Sequence, residues 1–306
     1  MPRMNHRFSS IAIAALLSVT TIAQPGSTGP TTPPDLTDRI LTPPAPRTPR
    51  INGPSVYGER NGRPFLYTIP ATGERPMTFT IDGLPDGLKL DEKTGQITGS
   101  VKEAGEHVVT LHAKNSLGEN SKKLKIVIGD KIALTPALGW NSWNCWAGAV
   151  DQEKVLHSAK AFVNAGLINH GWTYINIDDT WQGKRDEKTK GLLGNEKFPD
   201  LKGLCDQIHA MGLKAGIYST PWMTSYANFA GSSADNEDGS WTRPPAAKDG
   251  HHFGKYSFID NDAKQWAAYG FDYLKYDWNP NEEPEIRAMH DALLSSGRDI
   301  VYSLSN

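Results

Sequence analysis

The chain has 306 residues, of which 38% are hydrophobic, and this length allows one large domain or two ordinary ones. Its formal net charge is -2, with acidic and basic residues interspersed, so it lacks the positive field that a nucleic-acid backbone requires. We therefore exclude nucleic acid as a partner. Its 9 Trp and 10 Tyr residues supply flat amphipathic rings, which suit sugar faces and hydrophobic cores equally well.

The first 23 residues have the features of a signal peptide. Arg3 and Arg7 precede an apolar run from Ile11 to Ile22, and the small residue Ala23 follows this run. The run is shorter than the roughly 20 apolar residues that span a bilayer, and no later stretch approaches that length. We expect cleavage near Ala23 and a secreted or periplasmic protein without a membrane span.

The next two segments differ sharply in composition. Residues 24–50 are dominated by Pro, Thr and Ser and have few large apolar side chains, which predicts a linker. Residues 51–130 instead contain short runs of alternating apolar and polar residues, bounded by Gly, Pro and Asp, which predict β-strands at 65–69, 77–81, 107–111 and 124–128. This segment resembles the Ig-like modules of bacterial surface and secreted proteins. Its length of about eighty residues fits one all-β Ig-like sandwich.

Strands and helices alternate in the rest of the chain, residues 134–306. Strand-like runs occur at 137–140, 173–177, 214–218, 272–276 and 299–303, separated by amphipathic stretches at 152–165, 201–211, 262–269 and 283–296. Strict alternation of this kind predicts a parallel sheet covered by helices. A closed (β/α)8 TIM barrel needs eight strands. We therefore expect an incomplete barrel with about five of the eight strands, and interpret the chain as a C-terminally truncated fragment.

Polar and aromatic residues follow these strands, at the barrel end where catalytic groups collect. The third strand ends at Tyr218 and the fourth at Lys275-Tyr276-Asp277. Lys275 and Asp277 are two residues apart on a strand, so their side chains share a face. The ammonium group favours an ionised carboxylate, which a nucleophile must be. From these residues alone, an ordinary ion pair at a strand end is an equally good interpretation.

Four motifs occur in an order that is similar to glycoside hydrolase family 27, the α-galactosidases and their close relatives. These motifs are GWNSW, YINIDDTWQ, FPDLKGLCDQIHAMGLKAGIYS and YGFDYLKYDWN, and the similarity covers about 170 residues from Leu134 onward. It implies a glycosidase that removes terminal α-linked galactose from oligo- or polysaccharides with retention of configuration. It also implies that Asp277 is the nucleophile and that the enzyme uses no cofactor and no metal.

The resemblance assigns further residues to sugar binding. Asp178 and Asp179 would accept hydrogen bonds from the 4- and 6-hydroxyls of galactose, and Lys275 would contact other sugar hydroxyls. Trp143 would form a wall of the sugar site, and Tyr218 would add a hydroxyl contact. One of the two aspartates could instead cap a helix or turn, and the aromatic residues could belong to the core. For Trp140, the core and the sugar site are equally good interpretations.

The chain also departs from the family pattern. Many members carry disulfide-forming cysteines where this chain has Thr180, Met223 to Tyr226, and Trp278-Asn279. We therefore predict that Cys145 and Cys205, the two cysteines of the chain, are free thiols. The acid/base aspartate of the family follows the sixth strand, so we expect it to be absent from this chain.

The segment from Thr220 to about Phe258 is a long connection at the predicted active end of the sheet. We interpret it as a substrate-shaping loop, because long loops at an active face are usually functional. Its histidines, His251 and His252, have no acidic or cysteine partner at the spacing of a metal site. The loop therefore gives no indication of a bound metal.

Two alternatives stay open. Within the enzyme class, the same barrel could act on α-N-acetylgalactosaminides, β-L-arabinopyranosides or α-glucans. In a different class, the chain could be a galactose-binding or vestigial protein without catalysis. The sequence indicates neither the aglycone nor the oligomeric state.

Overall fold

The computed structural model describes residues 43–240 and 251–306, together with Arg39. The predicted signal peptide and most of the predicted linker lie outside the described residues. A β-rich part is followed by a part in which strands and helices alternate. The predicted fold class, an Ig-like β-sandwich followed by an incomplete TIM barrel, is confirmed.

The β-rich part contains nine strands. Their bounds are β1 Arg50–Ile51, β2 Val56–Glu59, β3 Phe65–Thr68, β4 Ala71–Thr72, β5 Thr78–Asp82, β6 Leu88–Leu90, β7 Gln96–Gly99, β8 Gly105–Asn115 and β9 Gly118–Ile128. They form a four-stranded sheet in the order β2-β9-β8-β5, a three-stranded sheet in the order β3-β7-β6, and the pair β1-β4. Only β2 and β9 pair in parallel. We call this part the Ig-like module.

Side chains from the two larger sheets share one core. Alternate residues of β8, Val109, Leu111 and Ala113, are buried and pack with Phe65 of β3 and Ile97 of β7. This alternation is what a strand with one face on a core requires. Strand β1 begins one residue before the predicted start of the module, because Arg50 pairs with Thr72 of β4.

Within its described residues, the second part contains nine further strands and five helices. Their bounds are β10 Gly139–Asn141, α1 Trp143–Trp146, α2 Gln152–Asn164, β11 Tyr174–Asn176, β12 Gln182–Arg185, β13 Leu192–Gly194, α3 Leu201–Ala210, β14 Lys214–Ser219, β15 Ser233–Ala234, β16 Tyr256–Ser257, α4 Ile259–Tyr269, β17 Tyr273–Asp277, α5 Glu283–Ser295 and β18 Val301–Ser305. Short 3-10 turns lie at Ala147–Ala149 and Leu167–His170.

One parallel sheet organises this part, which we call the half-barrel. Its strand order is β10-β11-β14-β17-β18, the order of the strands along the chain. Consecutive parallel strands joined by helices bring all carboxyl ends to one edge of the sheet. Asp151 and Asp200 begin α2 and α3 by accepting the backbone N–H groups of Lys154 and Gly203. No helix within the described ranges is long and apolar enough to cross a membrane.

The Ig-like module contacts the amino edge of the parallel sheet. The hydroxyl of Thr68 donates to the carbonyl of Gly212, 2.8 Å away, and Lys214 Nζ lies 2.6 Å from the Tyr57 hydroxyl. A cavity of about 370 Å³ is enclosed between the two parts at this edge. The module is therefore bonded to the end of the half-barrel that lies opposite the predicted site.

Candidate active site

The two neighbouring aspartates of the site lie in a tight turn after β11. Asp178 and Asp179 are both buried, and the next residue, Thr180, has a left-handed backbone with φ 81°. This conformation is costly for a β-branched residue, so surrounding contacts must hold the turn. The backbone N–H of Thr180 donates to Asp179 Oδ1 at 2.7 Å, and that of Asp178 donates to Ser142 Oγ at 2.9 Å. The turn places both carboxylates at the carboxyl edge of the sheet.

Lys275 connects the strand β17 to this turn. Its Nζ lies 2.9 Å from Asp178 Oδ2 and 3.7 Å from Asp277 Oδ2, so one ammonium serves two carboxylates. The amide of Asn141, at the end of β10, also donates to Asp178 Oδ2 at 2.8 Å. Lys275 and Asp277 share a face of β17, as their spacing predicts, while Tyr276 between them is buried in the core. Residues from the two strands β10 and β17 therefore converge on Asp178.

Asp277, the predicted nucleophile, is the last residue of β17. Burial raises the pKa of its carboxyl group above the ordinary value, and the charge of Asp178 adds to this effect. The Lys275 ammonium and the hydroxyls of Ser305 and Tyr218 act in the opposite direction and favour the ionised form. The side chain is 14% exposed, so a substrate atom can reach it from the mouth of the site.

Asp179 is held by donors on three sides. Gln182 Nε2 donates to its Oδ1 at 3.0 Å, and the backbone N–H of Ala227 donates to its Oδ2 at 3.0 Å. Burial raises the pKa of Asp179, while these donors, together with Ser225 and Thr180, lower it. Asp179 is therefore a fixed acceptor in surroundings that largely exclude water. A polar group that lacks a hydrogen-bond partner there costs free energy.

The predicted aromatic residues differ in their surroundings. Tyr218 is buried below Lys275, whose Nζ lies 5.2 Å from the centre of the ring. Burial and the charges of the site carboxylates raise the pKa of the Tyr218 phenol. Trp143 is 39% exposed at the same edge. Its backbone N–H donates to Oδ1 of Asn141, the residue that also bonds Asp178. Trp140 packs against the half-barrel core, which favours the core interpretation for that residue.

The structure thus brings together the side chains of five of the six residues that the sequence singled out. Asp178, Lys275, Asp277 and Tyr218 contact one another directly or through Lys275, and the N–H of Asp179 donates to Asp178 Oδ1 at 2.9 Å. Trp143 joins them through Asn141.

Sequence reasoning missed the groups that hold the two aspartates, namely Asn141, Ser142, Gln182 and the backbone of Ala227. The first two lie within the GWNSW motif, which could have identified them. The contact of Ala227 spans 48 residues of the chain and has no sequence signal.

Cys145 is exposed and Cys205 is buried, and neither forms a disulfide. The prediction of two free thiols is confirmed. Burial raises the pKa of the Cys205 thiol, so this group is inert and contributes to helix packing.

Comparisons with known proteins agree with this geometry. Residues 48–129 match the family model described as Putative Ig domain, and residues 135–242 match the one described as Alpha galactosidase A. Alpha-galactosidase A of Cellvibrio japonicus is 35% identical over 180 residues, which cover 57% of this chain and 39% of that protein. The alpha-galactosidase of Coffea arabica is 36% identical over 195 residues, which cover 62% of this chain and 46% of that protein. Residues 135–242, the first part of the half-barrel, are thus similar to alpha-galactosidases.

Solved structures extend the similarity to the Ig-like module. Two Bacteroides fragilis proteins described as putative alpha-galactosidases each share 36% sequence identity with this chain, with TM-scores of 0.74. The first comparison covers 86% of this chain and 53% of that protein, and the second covers 85% and 52%. An alignment over 86% of the chain is longer than the alpha-galactosidase domain alone, so it includes the Ig-like module. The chain spans less than half the length of the two curated relatives named above.

Proposed function

We propose that the protein is a retaining glycoside hydrolase that removes terminal α-linked galactose from oligo- or polysaccharides. The observation that carries this proposal is Lys275 between two carboxylates, with Asp277 on the strand end and Asp178 in the turn after β11. Its relatives of known name are alpha-galactosidases. A strand-end nucleophile beside a set of fixed acceptors suits the binding and cleavage of a sugar.

Asp178 and Asp179 bind the terminal sugar in this proposal. Both carboxylates already accept bonds from protein donors, and their remaining lone pairs face the mouth and accept sugar hydroxyls. An axial 4-hydroxyl reaches these acceptors, whereas the equatorial one of glucose leaves them unpaired, and this difference discriminates between the two sugars. The exposed indole of Trp143 covers an apolar face of the ring.

The chemical step follows from the place of Asp277. Its carboxylate forms a bond to C1 of the galactose as the bond from C1 to the aglycone oxygen breaks, which gives a covalent galactosyl ester. The departing oxygen takes a proton from a second carboxyl group, about 5 Å from the nucleophile, and that group later activates the water that hydrolyses the ester. Family resemblance assigns this second role to an aspartate after a sixth strand. Asp178 and Asp179 do not fill this role in the proposal, because they accept hydroxyls of the terminal sugar.

The location of the protein is a further part of the proposal. Arg3, Arg7 and the apolar run that follows support export as a secreted or periplasmic protein. N-terminal sequencing of the protein recovered from the extracellular or periplasmic fraction of its host tests this. A mature N-terminus near residue 24 supports export, and an intact N-terminus at Met1 in the cytoplasm contradicts it.

The proposed activity is tested by replacing the nucleophile in the protein expressed from its complete reading frame. We expect Asp277→Asn to lower kcat for an aryl α-galactoside by about 10⁴-fold or more, because the amide cannot form the ester. Asp260→Asn, an exposed aspartate on α4, is the matched control and should keep normal turnover. Retained turnover in the Asp277 variant contradicts the proposal. Galactose binding without hydrolysis in the unmodified protein would identify a binding protein instead.

A further inference from the structure

The loop between β14 and α4 carries three aromatic rings at the mouth of the site. The rings of Trp222 and His251 are stacked, with centroids 5.2 Å apart and an angle of 17° between their planes. The ring of Tyr226 stands edge-on to both, at 5.3 Å from Trp222 and 5.4 Å from His251. His251 is held in turn by the carbonyl of Ser225, 3.1 Å from its Nε2. We call Trp222, Tyr226 and His251 the aromatic cluster.

Tyr226 is the exposed member of this cluster. Its side chain is 45% exposed, whereas Trp222 is 7% exposed. An exposed aromatic residue is common by itself. Tyr226, however, is held in one orientation by two rings that are buried or half-buried, at the mouth of the site. Core packing explains this arrangement less easily. The Tyr226 ring offers a rigid apolar surface to a ligand.

The loop is anchored directly to the candidate site. Ala227, the neighbour of Tyr226, donates its backbone N–H to Asp179 Oδ2 at 3.0 Å. The turn is closed behind it by the N–H of Ser225, which donates to the carbonyl of Phe229 at 2.8 Å. Partial burial raises the pKa of the Tyr226 phenol, and the charge of Asp277 adds to the rise. Tyr226 therefore lies next to the residue that bonds Asp179.

This position identifies the part of the sugar that the ring can contact. In the proposed binding mode Asp277 is next to C1, and Asp178 with Lys275 serves the hydroxyls on one side of the ring. Asp179 serves the 4- and 6-hydroxyl edge. C5 and C6 lie at that same edge of a pyranose. Tyr226 precedes Ala227, whose backbone N–H bonds Asp179, and therefore lies at this edge in the proposed binding mode.

We propose that Tyr226 contacts the C5–C6 edge of the terminal sugar and makes the site select a hydroxymethyl group at C5. This inference rests on the proposed function for the orientation of the sugar. Asp179 accepts the 6-hydroxyl in this binding mode, and the Tyr226 ring adds an apolar contact to the same hydroxymethyl group. The Trp222–His251 stack is the support that keeps the Tyr226 ring in place.

Binding of two sugars tests the proposal without requiring turnover. L-Arabinose in its pyranose form has the ring hydroxyl arrangement of D-galactose and lacks the C6 hydroxymethyl group. Calorimetric titrations of both sugars compare the unmodified protein with Tyr226→Ala, Tyr226→Phe and Phe253→Ala. Phe253 is a 39% exposed aromatic residue of the same loop and serves as the matched control.

We expect Tyr226→Ala to weaken galactose binding about five- to tenfold, since one apolar contact to a hydroxymethyl group is lost. Arabinose binding should change by less than about twofold, because arabinose lacks that group. Tyr226→Phe keeps the ring and should resemble the unmodified protein, as should Phe253→Ala. Near-UV circular dichroism of each variant checks that the aromatic surroundings are retained. Equal weakening of both sugars, or unchanged galactose binding, overturns the proposal.

A kinetic comparison separates this role from contact with the leaving group. Aryl α-D-galactoside and aryl β-L-arabinopyranoside with the same aryl group differ only at C6. A fall in kcat/KM confined to the galactoside supports the proposal, and an equal fall for both substrates places Tyr226 on the leaving group and overturns it. If the unmodified protein binds galactose but hydrolyses neither substrate, the proposed function fails, and the binding titrations still decide the role of Tyr226. Absence of galactose binding overturns both.

Discussion

The Lys275 ammonium lies between two carboxylates and is closer to Asp178, at 2.9 Å, than to Asp277, at 3.7 Å. Without this cation, the carboxylates of Asp178 and Asp277 would repel each other in a largely buried setting. In the proposed mechanism, Lys275 is therefore both a hydroxyl donor for the sugar and a cation that favours the ionised form of Asp277. Replacement of Lys275 should therefore change the pH dependence of activity as well as the rate.

We predict that Lys275→Ala moves the acidic limb of the pH profile of kcat/KM to higher pH. The nucleophile must be ionised, so activity rises as the pH increases through the pKa of Asp277. Lys275 lowers that pKa, and its removal leaves burial and the Asp178 charge unopposed by a cation. Profiles measured with an aryl α-galactoside, with the exposed Lys264→Ala as control, check this. A limb that stays in place or moves to lower pH would show that Lys275 does not tune Asp277.

Most of the site at this scale was predictable, because strand ends carry recognisable residue pairs. The spacing of Lys275 and Asp277 determines that they share a face, and the structure has them so. The pairing of Lys275 with Asp178 rather than mainly with Asp277 depends on a turn with a left-handed Thr180. Gly is favoured at such positions, so Thr180 does not indicate this turn in the sequence.

At the scale of elements, one buried ion pair joins three parts of the half-barrel. Arg185 of β12 bonds Asp262 of α4, with the side chains 5% and 0% exposed. Arg185 also donates to the carbonyl of Gly231 at 2.6 Å, and its guanidinium lies 4.2 Å from the ring centre of Phe258. The hairpin β12–β13, the helix α4 and the loop that carries the aromatic cluster therefore depend on a single pair.

We predict that Asp262→Asn lowers the free energy of unfolding of the half-barrel by about 3 kcal/mol. The amide leaves the guanidinium of Arg185 buried with its charge unpaired, which costs more than the pair itself contributes. Urea denaturation followed by Trp fluorescence measures the change. The control Asp260→Asn lies on the same helix, is exposed, and should stay within about 0.5 kcal/mol of the unmodified protein. A small effect of Asp262→Asn would mean that water or a shifted side chain replaces the partner.

The long elements were predictable and the short ones were not. Helices α2, α3 and α5 begin at their predicted residues and end one residue early, because apolar periodicity is a local signal, and α2 and α3 also have aspartate N-caps. The hairpin β12–β13 has strands of four and three residues, too short for a periodic pattern. Its position is determined by Asp262, 77 residues after Arg185, and such a contact leaves no local signal.

In the whole molecule, buried charged residues join the Ig-like module to the half-barrel. Arg60 of the module pairs with Asp299, just before β18, and also donates to the carbonyls of Leu294 and Arg298. The side chains of Arg60 and Asp299 are 13% and 6% exposed. Glu59 lies in the same junction, and burial raises its pKa to about 8. Hydrogen bonds and an ion pair therefore attach the module to the half-barrel. The sequence could not show this attachment, because the contacts of Arg60 span more than 200 residues.

We predict that Arg60→Ala lowers the thermal midpoint by about 5 °C or more, since it leaves Asp299 buried without its partner. Differential scanning calorimetry measures the change. Arg47→Ala removes an exposed pair with Glu74 inside the module and should shift the midpoint by about 1 °C or less. Equal shifts for the two variants would show that the junction contributes no more than a surface pair.

In the proposed mechanism, Asp277 attacks C1 of an α-galactoside and forms a covalent intermediate. Two displacements at C1 retain its configuration, so the first sugar released must be the α-anomer. Proton NMR spectra recorded during the first minutes of hydrolysis of an aryl α-galactoside, before mutarotation, measure this directly. We predict that the anomeric signal of α-galactose appears first and that the β-signal grows later. Release of β-galactose as the first product would contradict the assignment of Asp277 as a nucleophile and the retaining mechanism.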